Sequence, residues 1–248
     1  MSVPLVAVAH GSRDPRAAAT VAALLDAVRA RRPDVPVHAS FLDHAPPAPD
    51  QVLDGLAGGG ADEAVVLPLL LTAAYHSKTD IPGVLNRVHG RHPRLVLRTA
   101  GTLGPHPLLL DALERRLSEA GVAPGDPDTA VVLASAGSSD PSANATNARL
   151  ARRWRARGWR DVVPAYATAA RPAPAEAVRA LLDAGAPRVA VASYILAPGH
   201  FADKVRRESL AAGAAAVSPA LGAAPEVADL IVRRYAGALE APRAAAAV

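Results

Sequence analysis

The sequence predicts an α/β protein made of two similar tandem domains, each a small parallel β-sheet flanked by helices, with a cleft between them. Residues 9–15 (Ala-His-Gly-Ser-Arg-Asp-Pro) recur as residues 135–141 (Ser-Ala-Gly-Ser-Ser-Asp-Pro), an offset of 126 at the shared glycine (137 − 11). Pro-Ala-Pro at 47–49 recurs at 172–174 with an offset of 125 (172 − 47), and His76 is matched by His200 at 124 (200 − 76). A near-constant offset indicates an internal duplication. Short apolar runs also alternate with helical patterns, which is typical of parallel sheets covered by helices.

The predicted domains are residues 1–123 and 124–248. A chain of 248 residues with 50% hydrophobic content is long enough for two such units, because about 120 residues is a common domain size. The stretch 120–128, rich in Gly and Pro, is interpreted as the linker.

The first half is predicted to contain four strands and four helices. A buried strand over 4–9 precedes a helix that has Asp14 as N-cap and Pro15 at its first position, and that ends before Pro33. The next elements, in order, are a strand over 35–42, a helix over 49–56, a strand over 63–70, a helix over 80–89, a strand over 95–99 and a helix over 107–119. Pro68 has no N–H to donate, so we expect it at the carboxyl end of its strand or on an edge strand.

The second half repeats this order. Its predicted strands cover 129–135, 161–166, 188–195 and 215–218, and its predicted helices cover 141–157, 173–184, 201–212 and 224–238. Each half therefore contains the same four strand–helix pairs.

The composition excludes several kinds of site. With no cysteine, the chain has no disulfide, thiolate metal site, iron–sulfur cluster or thiol nucleophile. We expect a cytoplasmic protein without a membrane span, because no secretory signal or long apolar run is present. A net charge of +4 with only 3% aromatic residues disfavours a nucleic-acid surface, but it suits a small polyanionic substrate. No ATP-binding motif of the Gly-x-x-x-x-Gly-Lys kind is present.

Three side chains that bind metals follow the ends of predicted strands: His10, Asp43 and His76. The carboxyl ends of parallel strands meet at one edge, so we expect the three to share a site there. Two imidazoles and a carboxylate suit Fe(II), Co(II) or Ni(II) with open coordination positions. Each residue also has a simpler interpretation: a turn histidine, a surface-loop histidine, and an aspartate in a turn.

The chemistry is expected in the first half, facing the cleft, because Ala136 replaces His10 in the second. Gly11 lets the chain turn closely, and the following helix N-terminus offers N–H groups to an anion. Basic residues near the same edge either hold carboxylates together or are solvated charges: Arg13, Arg16, Lys78, Arg171 and Lys204.

The sequence Ala-His-Gly-Ser-Arg at 9–13, Pro-Leu-Leu-Leu at 68–71, and His76 followed by Asp-Ile-Pro at 80–82 resemble the sirohydrochlorin chelatase family. These are the class II tetrapyrrole chelatases, here in their long two-domain form, and the resemblance is strongest over residues 3–85. It implies a chelatase-like fold and insertion of a divalent metal into sirohydrochlorin, a macrocycle with eight carboxylates, in sirohaem or cobalamin biosynthesis. Fe2+ is the first expectation for the metal, Co2+ is close behind and Ni2+ is third. No organic cofactor is implied, and we expect a monomer.

The resemblance assigns metal binding and catalysis to His10 and His76. Asp43 stands where the family usually has Glu, so its side chain is one methylene shorter and His44 is an alternative ligand. The second half is implied to be a non-catalytic lobe that closes over the substrate. The predicted substrate contacts are Gly11, Ser12, Arg13, Ser77, Lys78, Arg171 and His200.

Three other functions stay open. A histidine phosphatase would use His10 as nucleophile. Those enzymes have an Arg-His-Gly motif at this point, whereas in this chain the residue before the histidine is Ala9. A non-haem iron oxygenase uses two histidines and a carboxylate, usually on a β-rich jelly roll rather than on alternating strands and helices. A metal or tetrapyrrole carrier would use the same ligands as a chelatase, and turnover would separate the two.

Overall fold

The computed structural model describes residues 2–72 and 80–241, which contain eight strands and eight helices. In chain order they are β1 (Leu5–Ala9), α1 (Pro15–Arg31), β2 (Val37–Phe41), α2 (Pro49–Gly58), β3 (Glu63–Pro68), α3 (Ile81–Arg91), β4 (Val96–Thr99), α4 (Pro107–Glu119), β5 (Thr129–Ser135), α5 (Pro141–Arg155), β6 (Asp161–Tyr166), α6 (Pro174–Asp183), β7 (Arg188–Tyr194), α7 (His200–Ala211), β8 (Ala216–Val217) and α8 (Pro225–Glu240). The predicted alternation of strands and helices is confirmed. The main differences are at element ends; β2, for example, begins after Pro36, which lacks an N–H.

The chain forms two compact units whose boundaries differ from the predicted division at 123/124. The first unit comprises residues 1–104 and 225–248, and the second comprises residues 105–224. The last helix of each sequence half therefore belongs to the unit formed by the other half. In the second unit α4 packs on β7, and in the first unit α8 packs on α1 and β3. Helical periodicity shows that such a helix has an apolar face, but it does not show which sheet that face covers.

The first unit contains a four-stranded parallel sheet in the order β2-β1-β3-β4. Every residue of β1, one of its two central strands, is buried. The chain leaves β1 in one direction, towards β2, and returns on the other side to form β3. In open α/β sheets this change of direction creates a ligand-binding crevice beyond the carboxyl ends of the two central strands.

The second unit repeats this sheet as β6-β5-β7-β8, also fully parallel. Strand register gives an offset of 125 between Val65 in β3 and Ala190 in β7 (190 − 65). The offset is 118 between their partners, Arg98 in β4 and Ala216 in β8 (216 − 98). The first half therefore has seven more residues (125 − 118) between its third and fourth strands, in the stretch that contains His76.

Local chemistry fixes where α1 and β3 start and end. The Asp14 carboxylate accepts a hydrogen bond from the Arg16 N–H (2.9 Å), which caps α1 as predicted. Pro68 is the last residue of β3, and the ladder resumes when the Leu69 N–H donates to the Val8 carbonyl (2.8 Å). A proline is tolerated there because no ladder hydrogen bond is lost inside the strand. Within residues 2–72 and 80–241, no helix is both long and apolar enough to cross a bilayer.

Candidate metal- and anion-binding site

His10 lies at the crevice of the first unit. It directly follows β1 and is exposed at the carboxyl-terminal edge of the sheet. Its neighbour Gly11 has a φ of +94°, and a Cβ atom there would lie 1.7 Å from the carbonyl oxygen of Asp43. Only glycine therefore allows the loop after β1 to pass this close to the loop after β2.

The backbone holds Asp43 beside His10. The Asp43 N–H donates to the carbonyl oxygen of His10 over 2.9 Å. The Asp43 carboxylate accepts a hydrogen bond from the His44 N–H (2.7 Å) and lies 3.3 Å from His44 Nδ1. His44 has a φ of +63°, which folds it back toward that carboxylate. Because 61% of the Asp43 side chain is still exposed, its carboxylate remains accessible to a cation.

An open pocket of about 360 Å³ connects this edge to the start of α3. Its lining contains one imidazole, two carboxylates and one guanidinium. The lining residues are His10, Leu42, Asp43, Asp80, Gly83, Val84 and Arg87. Such a mixture offers ligands for a cation and a partner for an anion.

Three of the predicted site residues, His76, Ser77 and Lys78, lie outside the described residues. Across residues 2–72 and 80–241, no three His, Asp or Glu side chains come together as a metal site. His10 and Asp43 do line one pocket, as expected from their positions after neighbouring strands. Their role as ligands and the convergence of His76 on them stay predictions.

The second unit has the same loop without the imidazole. The Thr168 N–H donates to the Ala136 carbonyl over 2.9 Å, as Asp43 does to His10. Gly137 has a φ of +89°, and a Cβ there would lie 2.0 Å from the Thr168 carbonyl oxygen. The duplication therefore preserved the backbone of the site and lost the histidine.

A side chain also closes this loop in the second unit. Asn144 Oδ1 accepts from the Ser138 N–H (3.2 Å), and Asn144 Nδ2 donates to the Ser138 carbonyl (2.7 Å). The equivalent of Asn144 in the first half is Ala18 (144 − 126). Within the described residues the N–H of Ser12, the equivalent of Ser138, has no hydrogen-bond partner. The first loop is therefore open to an acceptor where the second is closed.

The other predicted substrate contacts are at the surface. The Ser12 hydroxyl accepts a hydrogen bond from the Asp14 N–H (3.1 Å), and Arg13 is exposed. In the second unit, His200 is the first residue of α7, and its ring meets that of Phe201 edge-on at 5.6 Å.

Arg171 in the second unit is already engaged with a carboxylate. It is paired with Glu176, which also accepts a hydrogen bond from the Ala173 N–H (2.8 Å). The Ala173 N–H and the Arg171 guanidinium hold the pKa of the Glu176 carboxyl below its usual range. A substrate carboxylate would have to compete with Glu176 for Arg171.

Sequence reasoning missed the wall of the pocket that α3 provides. Asp80, Gly83, Val84 and Arg87 line the pocket together. Their spacing of three, one and three residues places them on one face of a helix. That spacing is visible in the sequence, but the strand-end rule used to find candidates does not consider helix faces.

The fold and this edge define a duplicated α/β protein with one loop that carries a histidine and one degenerate loop that has lost it. A family model described as CbiX matches the chain twice, over residues 4–120 and 130–238. The two matches follow the duplication rather than the compact units.

Curated relatives and a solved structure agree with that match. A sirohydrochlorin cobaltochelatase of Priestia megaterium is 30% identical over 200 residues, which is 77% of this chain but less than two thirds (63%) of the relative. A sirohydrochlorin ferrochelatase of Bacillus subtilis (strain 168) is 30% identical over 210 residues, 84% of this chain and 79% of the relative. The structure of SirB from Bacillus subtilis with Fe3+ has a TM-score of 0.84 at 28% identity and covers 96% of both chains. The chain belongs to the CbiX family of sirohydrochlorin chelatases.

Proposed function

We propose that this protein inserts a divalent metal ion into sirohydrochlorin at the edge of the first unit, with Fe2+ as the first candidate and Co2+ close behind. The observation that carries the proposal is the pocket that brings the His10 imidazole and the Asp43 carboxylate together. The relatives support the reaction, since their names specify iron in one case and cobalt in the other. Imidazole and carboxylate ligands accept both ions, so the donor set does not choose between them.

The metal is a substrate and must leave the protein for the ring. In the proposed reaction His10 and His76 hold the ion, and Asp43 or His44 assists. Two pyrrole N–H protons leave as one M2+ ion enters, so the total charge of ring, metal and released protons is conserved. One imidazole accepts a pyrrole proton as the ion moves to the ring nitrogens. A weakly coordinating site is required, because tight binding would retain the ion.

The support for His76 is indirect. Asp80 lines the pocket with His10 and follows His76 by four residues in the sequence. The first half also has seven extra residues in this stretch (125 − 118). We infer that this longer connection serves the metal site, and that the shorter one of the second half belongs to a non-catalytic lobe.

The carboxylates of sirohydrochlorin are proposed to contact Gly11, Ser12, Arg13, Ser77, Lys78, Arg171 and His200. We propose a cytoplasmic monomer that needs no organic cofactor and binds neither nucleic acid nor membrane. Light scattering on the purified protein tests the monomer, and activity with only sirohydrochlorin and metal present tests the lack of a cofactor.

The decisive experiment follows sirohydrochlorin absorbance after addition of Fe2+ or Co2+. His10→Ala and His76→Ala are each expected to reduce the rate about a hundredfold or more, the usual contribution of a positioned acid–base group. His89→Ala is the matched control, because His89 is an exposed histidine on α3 that does not line the pocket. Unchanged rates in both site variants would remove these residues from the reaction.

A carrier remains the second candidate, since the same ligands could hold metal or ring without catalysis. A carrier would yield at most one equivalent of metallated product per protein. Many equivalents, lost in His10→Ala, would establish the chelatase.

A further inference from the structure

We propose that Arg87 is a substrate-positioning residue that binds a peripheral carboxylate of the macrocycle, and that Gly83 leaves the space in which that edge of the ring lies. This inference rests on the proposed function, and it concerns the wall of the pocket provided by α3.

The positive charge of Arg87 is not neutralised by any other described residue. Arg87 is exposed on α3 and lines the pocket. Within the described residues it forms no ion pair or hydrogen bond. Nearby arginines differ: Arg91, one turn further along α3, pairs with Asp54 at 2.9 Å, and Arg98 pairs with Glu63. An uncommitted guanidinium beside a pocket is suited to bidentate binding of a carboxylate.

The guanidinium lies over the pocket face of the helix. Its Nη1 atom would be 3.7 Å from a Cβ atom placed on Gly83, so the side chain of Arg87 runs back toward that glycine. Arg87 is seven residues from Asp80, which is about 10 Å along a helix axis. Because the side chain reaches back to Gly83, its guanidinium lies only about one helical turn beyond Asp80 on the same wall of the pocket. This arrangement fits a ligand with a metal at its centre and carboxylates at its rim.

Gly83 has no structural reason to be glycine among the described residues. It lies inside α3, where glycine costs about 0.5–1 kcal/mol relative to alanine. Its φ is not in the left-handed region, and a Cβ would meet no described atom closer than 3.7 Å. A methyl group there would project into the pocket instead. Gly90 of the same helix is equally unconstrained but does not line the pocket, so what distinguishes Gly83 is its place: it keeps the pocket wall beside the Arg87 guanidinium free of a side chain.

The test is a titration of the metal-free protein with sirohydrochlorin, followed by absorbance, together with steady-state kinetics with Co2+. Arg87→Gln is expected to raise Kd and KM about tenfold, as expected for the loss of one charge-assisted contact, with kcat nearly unchanged. Arg87→Lys should recover some of the affinity, because it restores the charge without the bidentate geometry. Gly83→Ala should raise Tm and yet weaken binding.

The matched control is Arg94→Gln. Arg94 is exposed, forms no ion pair among the described residues, and precedes β4, at the amino-terminal edge of the sheet. The Arg94→Gln substitution removes the same charge at the edge of the sheet opposite the pocket, and it should leave Kd and KM unchanged. If Arg87→Gln matches wild type or Arg94→Gln in both constants while wild type turns over, the inference is overturned and the proposed function stands. If wild type binds sirohydrochlorin without metallating it, the proposed function fails, whereas a binding loss confined to Arg87→Gln would still support the inference.

Discussion

Replacing Ala18 by asparagine should close the first loop as Asn144 closes the second. Ala18 and Asn144 each follow the N-cap aspartate of their helix by four residues. In the second unit the asparagine side chain makes two hydrogen bonds to Ser138, of 3.2 and 2.7 Å. Because the capping hydrogen bonds of α1 and α5 are the same, we expect Asn at position 18 to make the same pair of bonds to Ser12.

Ala18→Asn should make the protein more stable but weaken its binding of substrate. Two neutral hydrogen bonds contribute about 1–3 kcal/mol together, and the poorer helix propensity of asparagine removes about 0.5 kcal/mol. Ala18→Asn should therefore raise the free energy of unfolding by about 1 kcal/mol. If the Ser12 N–H binds a substrate carboxylate, losing that bond costs about 1.5–3 kcal/mol, which is a rise in KM of roughly ten- to hundredfold.

Asn144→Ala is the reverse change in the degenerate loop. It should lower the free energy of unfolding by about 1–2 kcal/mol and leave KM unchanged. Urea unfolding and chelatase kinetics on the two variants measure both effects. An Ala18→Asn protein that is more stable than wild type but has the same KM would refute the assignment of the Ser12 N–H as a substrate contact.

Three further predictions concern stability. Gly11→Ala and Gly137→Ala should each lower the free energy of unfolding by more than about 2 kcal/mol, because a Cβ would lie 1.7 and 2.0 Å from a carbonyl oxygen. A urea midpoint equal to that of wild type would contradict this. Burial, aided by the positive charge of Arg29, lowers the pKa of His38. The unfolded chain then binds more protons between the folded pKa and about 6.5. The stability that neutral His38 provides is therefore complete above about pH 6.5 and is lost as the pH falls below that value. The His38→Gln variant should accordingly lose less stability than wild type between pH 7 and 5. Tyr235→Phe, which removes a 2.6 Å hydrogen bond to the Val3 carbonyl, should cost about 1 kcal/mol in urea unfolding.

The edge of the sheet was predictable because it depends on local rules. His10 and Asp43 were expected beside each other since each follows an apolar strand, and the carboxyl ends of parallel strands share an edge. The structure places both in one pocket. The position of Pro68 at the end of β3 followed in the same way from its missing N–H.

Arg87 was not predicted, although its spacing from Asp80 is plain in the sequence. Which face of α3 borders the pocket depends on how that helix packs, and its single apolar stripe (Ile81, Val84, Leu85 and Val88) does not show that the neighbouring face, which carries Arg87, lines a pocket. The missing hydrogen bond of the Ser12 N–H was not predicted either. It is recognised only when the loop is compared with that of the second unit, where Asn144 accepts from the Ser138 N–H.

The sequence by itself determined the α/β class, the duplication, the order of the elements and the strand ends that carry His10 and Asp43, since hydrophobic period, helix caps and repeated motifs are local properties of a chain. Only the tertiary structure decided that α4 covers the second sheet and α8 the first. When the apolar face of a helix fits either of two similar sheets, the local sequence does not show which sheet the helix will cover. That choice is made by the packing of the whole chain.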